Sequence, residues 1–153
     1  KHGYEFGIVK GGKIIEYRIR DDTVVYAPQG IPNPQDPSSG ADGPIVTIRV
    51  GNKKTDPDCE DSLDEWFGKL KADSDSSPIT ELRKTVLNGT ECITFHNTEM
   101  QEIDAGQKEE RTARIYIFVV NAKTTLIRWE TSTGNFRKFE HKLNEMMDSF
   151  KLL

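Results

Sequence analysis

The sequence is poor in the residues that most often do chemistry. Two cysteines, Cys59 and Cys92, and three histidines, His2, His96 and His141, are its whole supply of thiol and imidazole. No two histidines stand at metal-ligand spacing, and a lone histidine without a positioned partner fails the geometric requirement for a catalytic base. No window approaches the roughly 18 apolar residues of a membrane span. Basic excess is also missing: 21 Lys and Arg against 25 Asp and Glu leave a formal charge of −4, which excludes the electrostatic footprint of a nucleic-acid or anionic-lipid binder. Glycines form no phosphate cradle, because "KGGK" is not followed by the Ser or Thr of a P-loop and "GNF" lacks the spacing of a dinucleotide fingerprint. The first residue is Lys1, with no recognisable leader, and a leader or lipid anchor upstream of it stays open.

What is present folds. At 153 residues the chain matches one ordinary domain, expected to run from 1 to 153, with 35% hydrophobic residues clustered into β-rich runs. "YEFGIV" and "KIIEYRIR" read as a hairpin turning at Lys10 to Lys13, followed by a strand in "TVVYA". The segment from Pro28 to Pro44 carries five of the seven prolines and reads as a long loop, a candidate contact surface. "IVTIRV" is a strand with Val46, Ile48 and Val50 on its apolar face. A helix from Ser62 to Ala72 follows from the stripe of Leu63, Trp66, Phe67 and Leu70 and from Ser62 and Glu65 at capping-box spacing. "ITELRKTVL", Asn88-Gly89 and "TECITFHNTEM" form a second hairpin, with Ile93 and Phe95 on one face and Cys92, Thr94 and His96 on the other.

The run Ile115 to Val120 is apolar at every position, so it belongs in the centre of a sheet covered on both faces. The polar segment "DAGQKEERT" precedes it as a connection, and "TLIRWETS" returns after a turn at Asn121 to Thr124, with Leu126 and Arg128 on one face and Ile127 and Trp129 on the other. One cover is the middle helix. The other is a helix across "NFRKFEHKLNEMMDSFKLL", where Phe136, Phe139, Leu143, Met146, Met147 and Phe150 recur at three- and four-residue intervals. The expected class is α+β: a mostly antiparallel sheet of about seven strands between a short middle helix and a long C-terminal one.

The order of leading strands, the Ser-capped "SLDEWFGKL", "VLNGTECITF", a long apolar strand and a last helix ending in "MMDSFKLL" resembles the PsbP-like superfamily. That superfamily includes the photosystem-associated protein, the eukaryotic Ran-release factor and many bacterial lipoproteins of unassigned role. The resemblance runs from about Val24 to Leu153, while the hairpin from Tyr4 to Arg20 departs from the family's usual opening. It implies a non-catalytic binding or accessory protein with a protein partner, extracytoplasmic and often lipid-anchored, with a cytoplasmic adaptor similar to the Ran-release factor as the alternative. It implies no catalytic, cofactor or metal residues.

The residues agree with that implication. Cys92 and His96 share a strand face but stand about 13 Å apart by strand rise, too far for proton transfer. "DSDSSPITELRK" has Pro78 and Lys84 where a calcium loop needs Gly and Glu. The six carboxylates of "DPDCEDSLDE" make Asp56, Asp58, Glu60, Asp61 and Asp64 a candidate partner surface, although carboxylates at a helix N-terminus also simply complement its dipole. Asn88-Gly89-Thr90 is a formal glycosylation sequon that the turn already explains, and Trp66 and Trp129 are expected in the core. Cys59 and Cys92 are a candidate disulfide, worth roughly 3–4 kcal/mol of loop entropy. The bond requires the middle helix to cover the Cys92 face of the sheet, and the Ile93 face would forbid it.

Overall fold

A computed structural model describes residues 3–5, 15–20, 23–27, 44–104 and 106–152. In chain order the elements are β1 (Tyr4–Glu5), β2 (Ile15–Arg20), β3 (Thr23–Ala27), β4 (Ile45–Gly51), α1 (Leu63–Asp73), β5 (Ile79–Leu87), β6 (Thr90–Asp104), β7 (Gln107–Val120), β8 (Lys123–Ser132), α2 (Thr133–Ser149) and β9 (Lys151–Leu152). Strands β2 to β8 form one antiparallel sheet in the order β2-β3-β4-β8-β7-β6-β5, and β1 pairs with β9 in a separate two-stranded ribbon. The turn expected at Lys10 to Lys13 and the Pro28 to Pro44 loop, apart from Pro44, lie outside the described residues. Tyr4 and Glu5 pair with Leu152 and Lys151, so the first strand is not part of the main sheet.

The two-sided strand explains the layering. β7 lies between β6 and β8, sending Ile115 and Ile117 to one face and Tyr116 and Phe118 to the other. On the first face Ile117 and Ile93 are fully buried beneath Trp66 and Leu70 of α1. On the second, Phe118, Ile127 and Trp129 pack against Phe136, Leu143 and Met147 of α2. Burying each large side chain contributes about 1.5–3 kcal/mol, so both helices are held by the sheet more than by their own propensity.

Local chemistry sets the ends. The Ser62 hydroxyl accepts from Glu65 N at 3.2 Å, while the Glu65 carboxylate reaches Asp61 N at 3.5 Å, so the reciprocal arm of the capping box is displaced by one residue. Asn88 and Gly89 turn the β5–β6 hairpin with φ of 51° and 80°. α2 stops at Ser149, earlier than the periodicity predicts, because Phe150 goes extended and the chain leaves to pair with β1.

Most of the segment "DAGQKEERT" is strand: β6 runs to Asp104 and β7 starts at Gln107, in a long hairpin in which Glu99 stands opposite Arg111 and Glu102 opposite Lys108. The ion pairs run elsewhere, Arg111 to Glu109 on its own strand and Glu99 to Arg128 of β8, and no apolar alternation signals the pairing.

Candidate functional site

The acidic segment is built around cations. Asn52 organises the turn after β4, accepting from Lys54 N at 2.9 Å and Thr55 N at 3.2 Å through its side-chain oxygen. This turn delivers the Asp56 carboxylate, 6% exposed, to the Arg49 guanidinium of β4 and to Asp58 N at 3.1 Å. Lys53 Nζ lies 3.1 Å from Glu65 and 3.4 Å from both Glu60 and Asp61. Lys69 reaches Glu60 at 3.6 Å, and Lys84 of β5 pairs with Asp64. The Lys53 and Lys84 contacts hold the Glu65 and Asp64 carboxyls below the usual range. Of the predicted surface residues Asp56 is therefore interior, while Asp58, Asp61 and Asp64 are exposed.

α1 covers the Ile93 face, and this decides the cysteines. Cys59 packs with Trp66 and Ile93 on the α1 side, and Cys92 lies in the α2-side cluster. The sheet stands between them and both are free thiols, so the candidate Cys59–Cys92 bond does not form. Burial pushes the Cys92 thiol up to about 11, and burial followed by the Asp56 carboxylate raises Cys59. Neither is an activated nucleophile.

His96 has a partner that sequence spacing did not reveal. Its Nε2 accepts from Arg114 Nε at 2.8 Å, its ring meets Phe136 edge-on, and Arg114 continues to Glu140 of α2 at 2.7 Å. Nδ1 faces the Glu81 carboxylate at 3.4 Å. Burial and then the Arg114 charge lower the imidazole's proton affinity, so His96 is a neutral acceptor tying α2 to the sheet. His141 is exposed on α2. Asn88 also serves the scaffold: its Nδ2 donates to Met147 O, Asp148 O and Phe150 O at 3.1, 3.1 and 2.8 Å, which a glycan on that nitrogen would disturb. Among the described residues no group of three or more His, Cys, Asp or Glu is placed to hold a metal ion, and no helix is long and apolar enough to cross a membrane.

An opening lies where α1 runs out. The helix is short, and beyond Leu70 the sheet face is left open as a cleft of about 470 Å³. Phe95, Ile115, Ile117 and Leu126 form its floor, Trp66 and Leu70 one wall, and the turn Ser76-Ser77-Pro78 another. The Trp66 indole is fixed by donation to Thr124 Oγ1 at 3.1 Å. At the polar margin Arg128 bridges Glu99 and Glu130 at 3.2 Å each. Asn97 Oδ1 and Ser77 Oγ, both lining the cleft, are buried without a hydrogen-bond partner. Preformed apolar clefts of this size with a few polar groups are typical binding sites. The sequence placed Trp66 in the core and Leu126 on a strand face with Arg128, and only the sheet order shows that they border an opening.

An antiparallel sheet of this order, capped by a short helix on one face and a C-terminal helix on the other, defines an α+β scaffold. It is the PsbP-like fold. The chain superposes on cyanobacterial PsbP (CyanoP) from Synechocystis sp. PCC 6803 with a TM-score of 0.54 at 11% identity, over 99% of this chain and 88% of that one. It superposes on the Saccharomyces cerevisiae Ran-binding protein Mog1p with a TM-score of 0.52 at 13% identity, over 98% and 90%. A Bacteroides thetaiotaomicron protein gives a TM-score of 0.58 at 10% identity, and although 99% of this chain is covered it spans only 45% of that protein's length. No family sequence model and no curated protein sequence matches the chain.

Proposed function

We propose that residues 1–153 form a single domain that is a non-catalytic binding or accessory module for a protein partner. The supporting observation is the cleft beyond α1, an apolar floor with two unpartnered buried polar atoms at its margin. The shared fold with Mog1p, a Ran-binding protein, supports a protein as the class of partner. The exposed carboxylates Asp58, Asp61 and Asp64 at the other end of α1 are a second contact for a basic surface, which would compete with Lys53 and Lys84 for Asp61 and Asp64.

The proposed setting is extracytoplasmic, with a lipid anchor upstream of Lys1, on the strength of the resemblance drawn from the sequence. A cytoplasmic adaptor is the second reading. It is favoured by two buried free thiols that give no sign of an oxidising compartment.

Site-specific photo-crosslinking in cells of the protein's source tests the function. A crosslinker in place of exposed Asp73, beside the cleft, is expected to give a discrete protein adduct, and one in place of exposed Glu145 on α2 is not. Equal adduct patterns from both positions, or none from Asp73, would sink the reading. Recovery of the adduct in the envelope or in the cytosol separates the two settings.

A further inference from the structure

The cleft's chemistry specifies more than the presence of a partner. We propose that it receives an apolar side chain, of leucine or phenylalanine type, from an extended protein segment in which that residue is flanked by lysine or arginine. This rests on the protein-partner function above and names the class of segment that the same site takes.

The floor requires the apolar anchor. Ile117 is fully buried and Phe95 and Ile115 nearly so, but half-buried Leu126 and the Trp66 edge leave apolar surface at the bottom of an open cleft. Removing that surface from water is the favourable term available there. The margin offers two polar side chains. Asn97 Oδ1 and Ser77 Oγ have no hydrogen-bond partner and are closed to solvent in the free chain, so a backbone N–H of a docked extended segment pairs with Asn97 Oδ1 once that side chain turns toward the cleft it lines.

Charge selects the flanks. Asp73 lines the α1 side, where the carbonyl end of the helix adds partial negative charge. Glu99 lines the sheet side. Arg128, the cation at the margin, is already shared by Glu99 and Glu130, so the surroundings of the cleft stay net negative. An anionic ligand meets no free cation among these residues, whereas a Lys or Arg beside the anchor meets Asp73 or Glu99.

The test is an NMR titration of the whole chain with three synthetic capped pentapeptides, Gly-Lys-Leu-Lys-Gly, Gly-Lys-Ser-Lys-Gly and Gly-Glu-Leu-Glu-Gly. The first is expected to shift the Ile115 and Leu126 methyls and the Trp66 indole N–H while leaving Trp129, on the opposite face, unmoved. Serine for leucine, or glutamate for lysine, should weaken binding by about tenfold. Asp73→Lys, an exposed change that suits a helix C-terminus and so keeps the fold, should weaken the first peptide by about threefold. Equal affinity for the three peptides, shifts centred on Trp129, or no binding of the first would overturn the proposal. If the Asp73 crosslink forms in cells while no peptide binds, the partner function stands and the specificity falls.

Discussion

Asn88, in the β5–β6 turn, donates to the carbonyl of Met147 in α2, 59 positions further along the chain, at 3.1 Å. The same nitrogen reaches Asp148 O and Phe150 O, so one turn residue closes the end of a distant helix. Asn88→Gly keeps the left-handed backbone and removes only the donors. Urea unfolding is expected to show a loss of about 1–2 kcal/mol. Asn88→Asp should lose more at neutral pH, because a carboxylate would face three carbonyl oxygens. An Asp variant as stable as wild type would refute the capping role.

Ala122 sits at φ 60° in the two-residue turn between β7 and β8, after Asn121 at φ 52°. A Cβ in that conformation is strained, and Asn-Gly is the preferred pair for such a turn. Ala122→Gly is expected to raise stability by about 0.5–1 kcal/mol, visible as a higher thermal midpoint. A lower midpoint would contradict the turn geometry.

His96 should make stability depend on pH. Burial and Arg114 lower its folded-state pKa below the ordinary 6.5, so the unfolded chain takes up a proton first. Its contribution is complete above about 6.5 and is lost as the pH falls through the folded value. Glu81 and Glu140 pull the other way and moderate the effect. His96→Gln should therefore show a smaller drop in unfolding free energy from pH 7 to pH 5 than wild type. An equal or larger drop would rule His96 out as the titrating group.

Both cysteines should be silent in the native state. Aromatic disulfide reagents are expected to label neither thiol until denaturant is added, and then both, with no mass change on reduction beforehand. A Cys59–Cys92 crosslink in folded protein would require the two thiols to share a face, contrary to the packing on either side of the sheet.

The acidic segment should divide by burial. Asp56→Ala removes a buried carboxylate from half-buried Arg49 and from Asp58 N and is expected to cost about 1–3 kcal/mol. Asp61→Ala removes an exposed partner of Lys53 and should change stability by under about 1 kcal/mol. Similar losses for the two would show that Asp56 is not held as described.

The sequence carried the parts of this fold that depend on near neighbours. A run apolar on both sides from Ile115, alternation from Leu126 to Trp129, Ser62 ahead of an apolar stripe and Asn88-Gly89 each have a local signature, and together they determine layers and class. What it hid is non-local or lacks apolar contrast. The outer part of the β6–β7 hairpin is made of polar and charged residues such as Glu99, opposite Arg111, which look like connection when read along the chain. Two-residue strands at Tyr4 and Lys151 have no pattern of their own and exist only through each other. The cations that neutralise the acidic segment come partly from β4 and β5, and the cleft exists only because α1 ends before the sheet does.

The pairing of Tyr4 with Leu152 gives the molecule the topology of a clasped bracelet. Tension applied between these two segments loads the clasp first, and two residue pairs can open while the seven-stranded sheet stays shut. Joining the segments covalently and cutting the chain at the Asn121-Ala122 turn would keep every strand neighbour while moving the ends to the opposite edge of a hairpin. Order along the chain is thus less fundamental to this architecture than adjacency within it.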